Sequence, residues 1–178
     1  GGPVFIAAEA GTVFRSSDGG ASWATLRLPY DGSLWGGMAL KGGGVLVHGM
    51  RGHVLRSPDQ GKTWIDVPTG TDKSWTGGLQ LADGTIVLVG LGGAVATSAD
   101  DAHTFRTTIR PERQTLSAVT IGPTGQPVVA GLTGIVAVQG GRGMTIFLPG
   151  QTTPPDPDVT PPSAPGQSCA GRACRLPE

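Results

Sequence analysis

Asp18, Asp59 and Asp100 stand 41 residues apart, and Trp23, Trp64 and Phe105 keep the same step. So do Gly11, Gly52, Gly93 and Gly134. A weaker fourth copy, QGGRGMTI at 139–146, stays in register, with Gly143 and Thr145 in the places of Gly61 and Thr63 two periods on. Three residue classes held in one frame without a gap make the chain an array, and a period of this kind constrains architecture more than any single motif.

Each unit divides into short segments rich in valine, isoleucine, threonine and aromatic residues, the composition of buried strands. In the second unit they are LWGGMAL (34–40), GVLVHG (44–49), HVLRS (53–57) and KTWIDV (62–67). The third unit offers 75–81, 85–90, 94–98 and 103–109, and the fourth 116–121, 127–131, 135–139 and 144–148. Turn signals separate them, KGGG at 41–44, DG at 83–84 and PTG at 123–125. No stretch holds a helical period. Four strands in roughly 40–45 residues is the dimension of a β-propeller blade. The expected fold class is therefore all-β, with propeller blades of four antiparallel strands over residues 1–148. The first unit opens at PVFIA and lacks an innermost strand, which leaves about three and three-quarter blades. Propellers close with about 4–8 blades. The expectation is part of a larger ring, completed by a missing N-terminal portion or by a second chain. Trp35 and Trp75, at the start of innermost segments, are expected in the core.

The pattern S-x-D-x-G-x-[ST]-W fits Ser16, Asp18, Gly20, Ser22 and Trp23, and equally Ser57, Asp59, Gly61, Thr63 and Trp64. Ser98, Asp100, Thr104 and Phe105 keep most of it, with Ala102 in place of glycine. These residues resemble the Asp-box, or BNR repeat, which implies a hairpin between the third and fourth strands of a blade. An aspartate there accepts hydrogen bonds from turn N–H groups, glycine supplies a positive φ, and the ring covers the hairpin. The other reading makes the aspartates cation ligands or catalytic acids. Equivalent positions on successive blades would hold them apart, so the phrase reads as a folding device.

In an up-and-down blade the connections alternate between two ends. The aspartate hairpins share one end with the first-to-second turns. The second-to-third turns and the blade-to-blade crossings share the other, and binding groups tend to sit on such loops over a rigid scaffold. The crossings are LPYDGS (28–33), PTGTDKS (68–74) and RPERQT (110–115). The candidate binding residues at this end are Tyr30, Asp31, Arg51, Asp72, Lys73, Arg110, Glu112 and Arg113. Taken singly, each charged residue among them also fits a plain solvated loop charge.

Catalytic and metal-binding patterns are not evident in the sequence. His48, His53 and His103 lack metal-type spacing, and the glycines match no phosphate loop. Sialidase-like chemistry needs a tyrosine nucleophile, an acid/base carboxylate and clustered arginines, whereas Tyr30 is the one tyrosine and the glutamates are Glu9, Glu112 and Glu178. We expect no enzyme activity, cofactor or metal for this stretch. Lys+Arg and Asp+Glu both number 13, which argues against a general nucleic-acid binder. No apolar run approaches the roughly 18–20 residues of a transmembrane helix.

GTVFRSSDGGASW and GHVLRSPDQGKTW, with the strands VLVHG and IVLVG, resemble the photosystem II stability/assembly factor family and its bacterial relatives over about residues 3–148. The resemblance implies a seven-bladed propeller that binds a membrane-protein precursor without catalysis. It implies a periplasmic or extracellular setting, or a thylakoid lumen in a photosynthetic cell. Two alternatives stand beside it: a glycan-binding or glycoside-hydrolase propeller with catalytic residues on missing blades, and a structural subunit of an extracellular assembly. From Pro149 the composition changes, with eight of the fifteen prolines in residues 149–178. This reads as an extended tail. Its Cys169 and Cys174 are spaced for a small disulfide loop or stand as two free thiols; the spacing leaves both open.

Overall fold

The computed structural model describes residues 2–137 and the strand at 145–147. The Pro-rich tail, Cys169 and Cys174, and most of the fourth copy of the turn phrase lie outside the described residues.

Four antiparallel sheets follow one another along the chain. Blade 1 has three strands, β1 (Val4–Ala7), β2 (Thr12–Ser16) and β3 (Ala24–Arg27), in that spatial order. Blade 2 has β4 (Leu34–Ala39), β5 (Val45–Gly49), β6 (Val54–Ser57) and β7 (Ile65–Asp66). Blade 3 has β8 (Trp75–Gln80), β9 (Ile86–Gly90), β10 (Ala94–Ser98) and β11 (Arg106–Ile109). Blade 4 has β12 (Leu116–Ile121), β13 (Pro127–Gly131), β14 (Gly134–Ala137) and β15 (Thr145–Phe147). Each strand pairs with its sequence neighbour, as short hairpins favour. The inner strands β4, β8 and β12 lie side by side, and β1 lies against β4. This is an open run of propeller blades that begins one strand short.

Burial follows the radial order. Every residue of β5 and β9 is buried, because these strands are covered by a blade on each side. The outermost β7 and β11 are mostly exposed. These outer strands are shorter than the sequence predicts. Residues 62–64 and 103–105 belong to the aspartate turns, whose hydrogen bonds claim the backbone that a longer ladder would need.

The inner strands share a bulge at one repeat position, between Leu34 and Gly36, Trp75 and Gly77, and Leu116 and Ala118. Leu34, Trp75 and Leu116 precede the bulge and are all buried. Trp35 occupies the bulge itself and is 43% exposed, whereas Trp75 is 0% exposed. The expectation of a core position is thus corrected for Trp35. The two tryptophans are not repeat equivalents, since Trp35 aligns with Thr76, and a bulged residue leaves the ladder and re-aims its side chain.

Candidate functional site

The three aspartate turns are built from short-range contacts. Ser57 Oγ donates to Asp59 Oδ1 at 2.9 Å and accepts from Gly61 N at 2.7 Å. Thr63 donates to Asp59 twice, from N to Oδ1 at 2.8 Å and from Oγ1 to Oδ2 at 2.7 Å. Trp64 Nε1 closes the hairpin on Gly61 O at 3.2 Å. Asp18 repeats the arrangement with Ser16, Ser22 and Trp23. Asp100 repeats it with Ser98, Ala102 N and Thr104, and Phe105 packs against the core in place of the indole.

Charge follows from this geometry. The N–H and hydroxyl of Thr63 hold the Asp59 carboxyl down at about 2. The hydroxyls of Ser22 and Thr104 lead the same effect at Asp18 and Asp100, which lie below the usual carboxylate range. Each carboxylate is ionised with both oxygens committed to its own turn. Gln60, Asp101 and Ala102 reach positive φ without being glycine. Ala102 makes that position pack, since its methyl is fully buried in the blade 2–3 core.

At the opposite end, second-to-third turns meet blade-to-blade crossings at recurring positions. Met50 N donates to Ser33 O at 3.1 Å, and Leu91 N donates to Ser74 O at 3.0 Å. Arg110 N donates to Gly93 O at 2.9 Å, as Leu28 N does to Gly11 O. The 41-residue glycine ladder has its cause here. Gly52 has φ +78°, and a Cβ on it would lie 1.9 Å from Thr71 O. Trp75 Nε1 and Thr69 Oγ1 both donate to Gly52 O, at 3.1 and 2.9 Å. The loops therefore rest on a fixed backbone frame.

The candidate binding residues divide into engaged and free. Tyr30 is half-buried, donates its hydroxyl to Met50 O at 3.2 Å, and sets its ring 4.2 Å from that of His53. Burial raises its phenol above the ordinary value. Lys73 pairs with its neighbour Asp72 at 3.1 Å, and Arg110 with Glu112 at 3.4 Å. Among the described residues, Asp31, Arg51 and Arg113 are exposed and have no ion pair. Trp35 is the second residue of β4, two places after Ser33, at this same end. Sequence reasoning missed it, although the 40-residue interval to Trp75 sets it one place out of the 41-residue frame. The site is a loop-bearing rim with one exposed indole and three unpaired charges. It can supply planar contact surface and directed hydrogen bonds.

Comparison with solved structures agrees with the blade geometry. A streptogramin B lyase structure superposes with a TM-score of 0.69 at 13% identity, over 80% of this chain and 50% of that one. Virginiamycin B lyase from Staphylococcus aureus, in selenomethionine form, gives 0.66 at 16%, over 84% and 56%. A structure titled YCF48 bound to D1 peptide gives 0.58 at 21%, over 78% and 46%. The chain spans about half the length of these proteins. No family model matches the sequence, and no curated protein sequence matches it. What is shared at these identities is the fold, a β-propeller. Among the described residues no helix is long and apolar enough to cross a membrane.

Proposed function

We propose that the chain is a non-catalytic propeller segment that binds a polypeptide on its loop-bearing rim and assists the assembly or stability of a membrane or envelope complex. The observation that carries this reading is the pairing of an exposed Trp35 with unpaired Asp31, Arg51 and Arg113 on loops tied to a rigid backbone frame. Tryptophan and arginine are the residues that most often anchor protein interfaces. The three turn carboxylates cannot serve as free acids, since their hydrogen-bonding capacity is spent within their own hairpins. The reading takes these turns as Asp-box repeats and the chain as a relative of the photosystem II assembly factors. One propeller of matching fold is bound to a peptide, which supports a peptide-binding rim here. A periplasmic or extracellular setting belongs to the same proposal.

The test is crosslinking and mass spectrometry of the full chain in a membrane extract of its source cell. Trp35→Ala and Arg51→Ala should each lower capture of one defined membrane or envelope protein about tenfold or more, with an unchanged melting temperature. Capture that ignores both substitutions would remove the rim from the proposal. Turnover of a glycan or of a cyclic peptide antibiotic by the purified chain would replace it with an enzymatic reading.

A further inference from the structure

Arg51 and Arg113 are exposed, have no ion pair among the described residues, and both sit at positive φ, +56° and +50°. A Cβ is strained in that region of backbone and glycine is not. One period after Arg51 the same turn is made by Gly92, at φ +63°. The turn has no need of an arginine, which leaves the guanidinium free to meet a ligand. The exposed indole of Trp35 stands at the start of blade 2 at the same end, and unpaired Asp31 stands on the crossing into that blade. From blade 4 toward blade 1 the rim therefore offers a cation, an aromatic ring beside a second cation, and then an anion.

The chain leaves blade 4 at this end. β15 runs antiparallel to β14, and Phe147 lies opposite Ile135, beside the hairpin closed by Gly131 and Gly134. Pro149 follows two residues on, and the sequence continues as PGQTTPPDPDVTPP to residue 162. Asp156 and Asp158 are its only charges, and Arg172 and Arg175 come later. Such composition favours polyproline II, which rises about 3.1 Å per residue and leaves its carbonyls unpaired. Nine residues lead from Phe147 to Asp156, about 28 Å in that conformation. The four strands of a blade span about 14 Å, and Arg113 stands three residues before inner strand β12 of the same blade. Facing sheets lie about 10 Å apart, so blade 2 is about 20 Å further on. The six residues from Asp156 to Pro162 cover about 19 Å.

We propose that the chain's own segment TTPPDPDVTPP, residues 152–162, docks across the rim. Asp156 and Asp158 meet Arg113, Pro161 and Pro162 lie on the Trp35 indole, and Arg51 donates to a carbonyl of the segment. Proline-rich segments are recognised in this way, with rings packed on exposed aromatic side chains. Charge order agrees with the placement: the acidic pair comes first, where the rim carries Arg113, and Arg172 and Arg175 come last, toward Asp31. The segment covers the groups assigned to polypeptide capture, so the docking rests on that reading of the rim and regulates it. A tethered segment acts at an effective concentration of about millimolar, which an incoming partner has to outcompete.

The test is paramagnetic relaxation in the full chain carrying Ser163→Cys, Cys169→Ser and Cys174→Ser, with a nitroxide on its single thiol. We expect the amide signals of Trp35, Arg51 and Arg113 to lose at least half their intensity. Gly19 and Gly43, at the aspartate-turn end, should keep theirs. Asp156→Lys with Asp158→Lys should restore the Arg113 signal, and adding Arg113→Glu should bring the loss back. Full intensity at all three rim amides, or broadening that survives the charge reversal, would overturn the proposal. So would equal broadening of isotope-labelled chains by separate nitroxide-bearing chains, which would make a second copy the occupant. The reversed tail should also raise partner capture about threefold or more, and unchanged capture would overturn the competition. A free tail beside capture that still needs Trp35 and Arg51 would remove the docking alone. A docked tail beside capture indifferent to both residues would remove the rim reading alone.

Discussion

The junction between blades 2 and 3 and that between blades 1 and 2 use the same repeat positions and fill them differently. In the first, Arg56 Nε donates to Asp101 O at 2.6 Å, and its terminal nitrogen meets Asp101 Oδ2 at 2.5 Å. Trp75 is wholly buried in the core of the same junction, and His48 Nδ1 lies 3.2 Å from Trp75 O. In the second, Arg15 replaces Arg56, but Gln60 stands where Asp101 would be. Arg15 Nε is buried and has no partner among the described residues. Leu34 takes the place of Trp75. In repeat arrays stability is close to a sum of unit terms and nearest-neighbour interfaces. The difference teaches that the blades share a frame while cohesion between them is set locally, and blade 1 is the more weakly held.

The strongest way to break this contrast is Trp75→Ala. It should cost about 3–5 kcal/mol, because a large ring and its bond to Gly52 are lost together. Leu34→Ala, at the equivalent place, should cost less in parallel urea unfolding. A larger loss at Leu34 would reverse the ranking of the junctions.

Next comes the pH response of His48. Burial lowers its pKa to about 4, against 6.5 for the free side chain. Above pH 6.5 the imidazole is neutral in both states and stability is full. As the pH falls from 6.5 toward 4 the unfolded chain takes up a proton that the folded one refuses, so stability declines, by on the order of 3 kcal/mol. Urea unfolding across this range should show the slope. His48→Val, which installs the residue that blade 3 carries at Val89, should flatten it. Below that window, acid acts on the turns. Asp59 is held at about 2 while a free aspartate titrates at 3.8, so its contribution is present above 3.8 and is lost as the pH falls through 2.

Smaller effects sharpen the contrast. Asp101→Ala should destabilise by about 1–3 kcal/mol, since Arg56 then keeps a mostly buried guanidinium short of an acceptor. Ser57→Ala should cost about the same, through the unpaired N–H of buried Gly61. Gln60→Asp should add roughly 0.5–1 kcal/mol by giving Arg15 the partner that Arg56 has. A melting temperature that does not rise would show that Arg15 and position 60 do not meet as their counterparts do.

The parts legible in the sequence are those built from contacts a few residues apart. Ser57, Asp59, Gly61 and Thr63 meet within one hairpin, so their spacing alone announced the turn, and its recurrence announced the blades. The rim was legible as an end of the sheet, because the alternation of connections assigns it. The groups free to act on it were not. Tyr30 is tied to Met50 and His53, and Trp35 is turned out by a bulge that strand alternation cannot reveal.

By itself, then, the amino-acid order determined the blade count, the carboxylate turns and the glycines beneath the crossings, since each depends on local hydrogen bonds or on φ. Tertiary structure alone decided which tryptophan is buried and which arginine finds a carboxylate. Those outcomes depend on how one blade faces the next, a relation between residues about 40 positions apart that no local preference encodes.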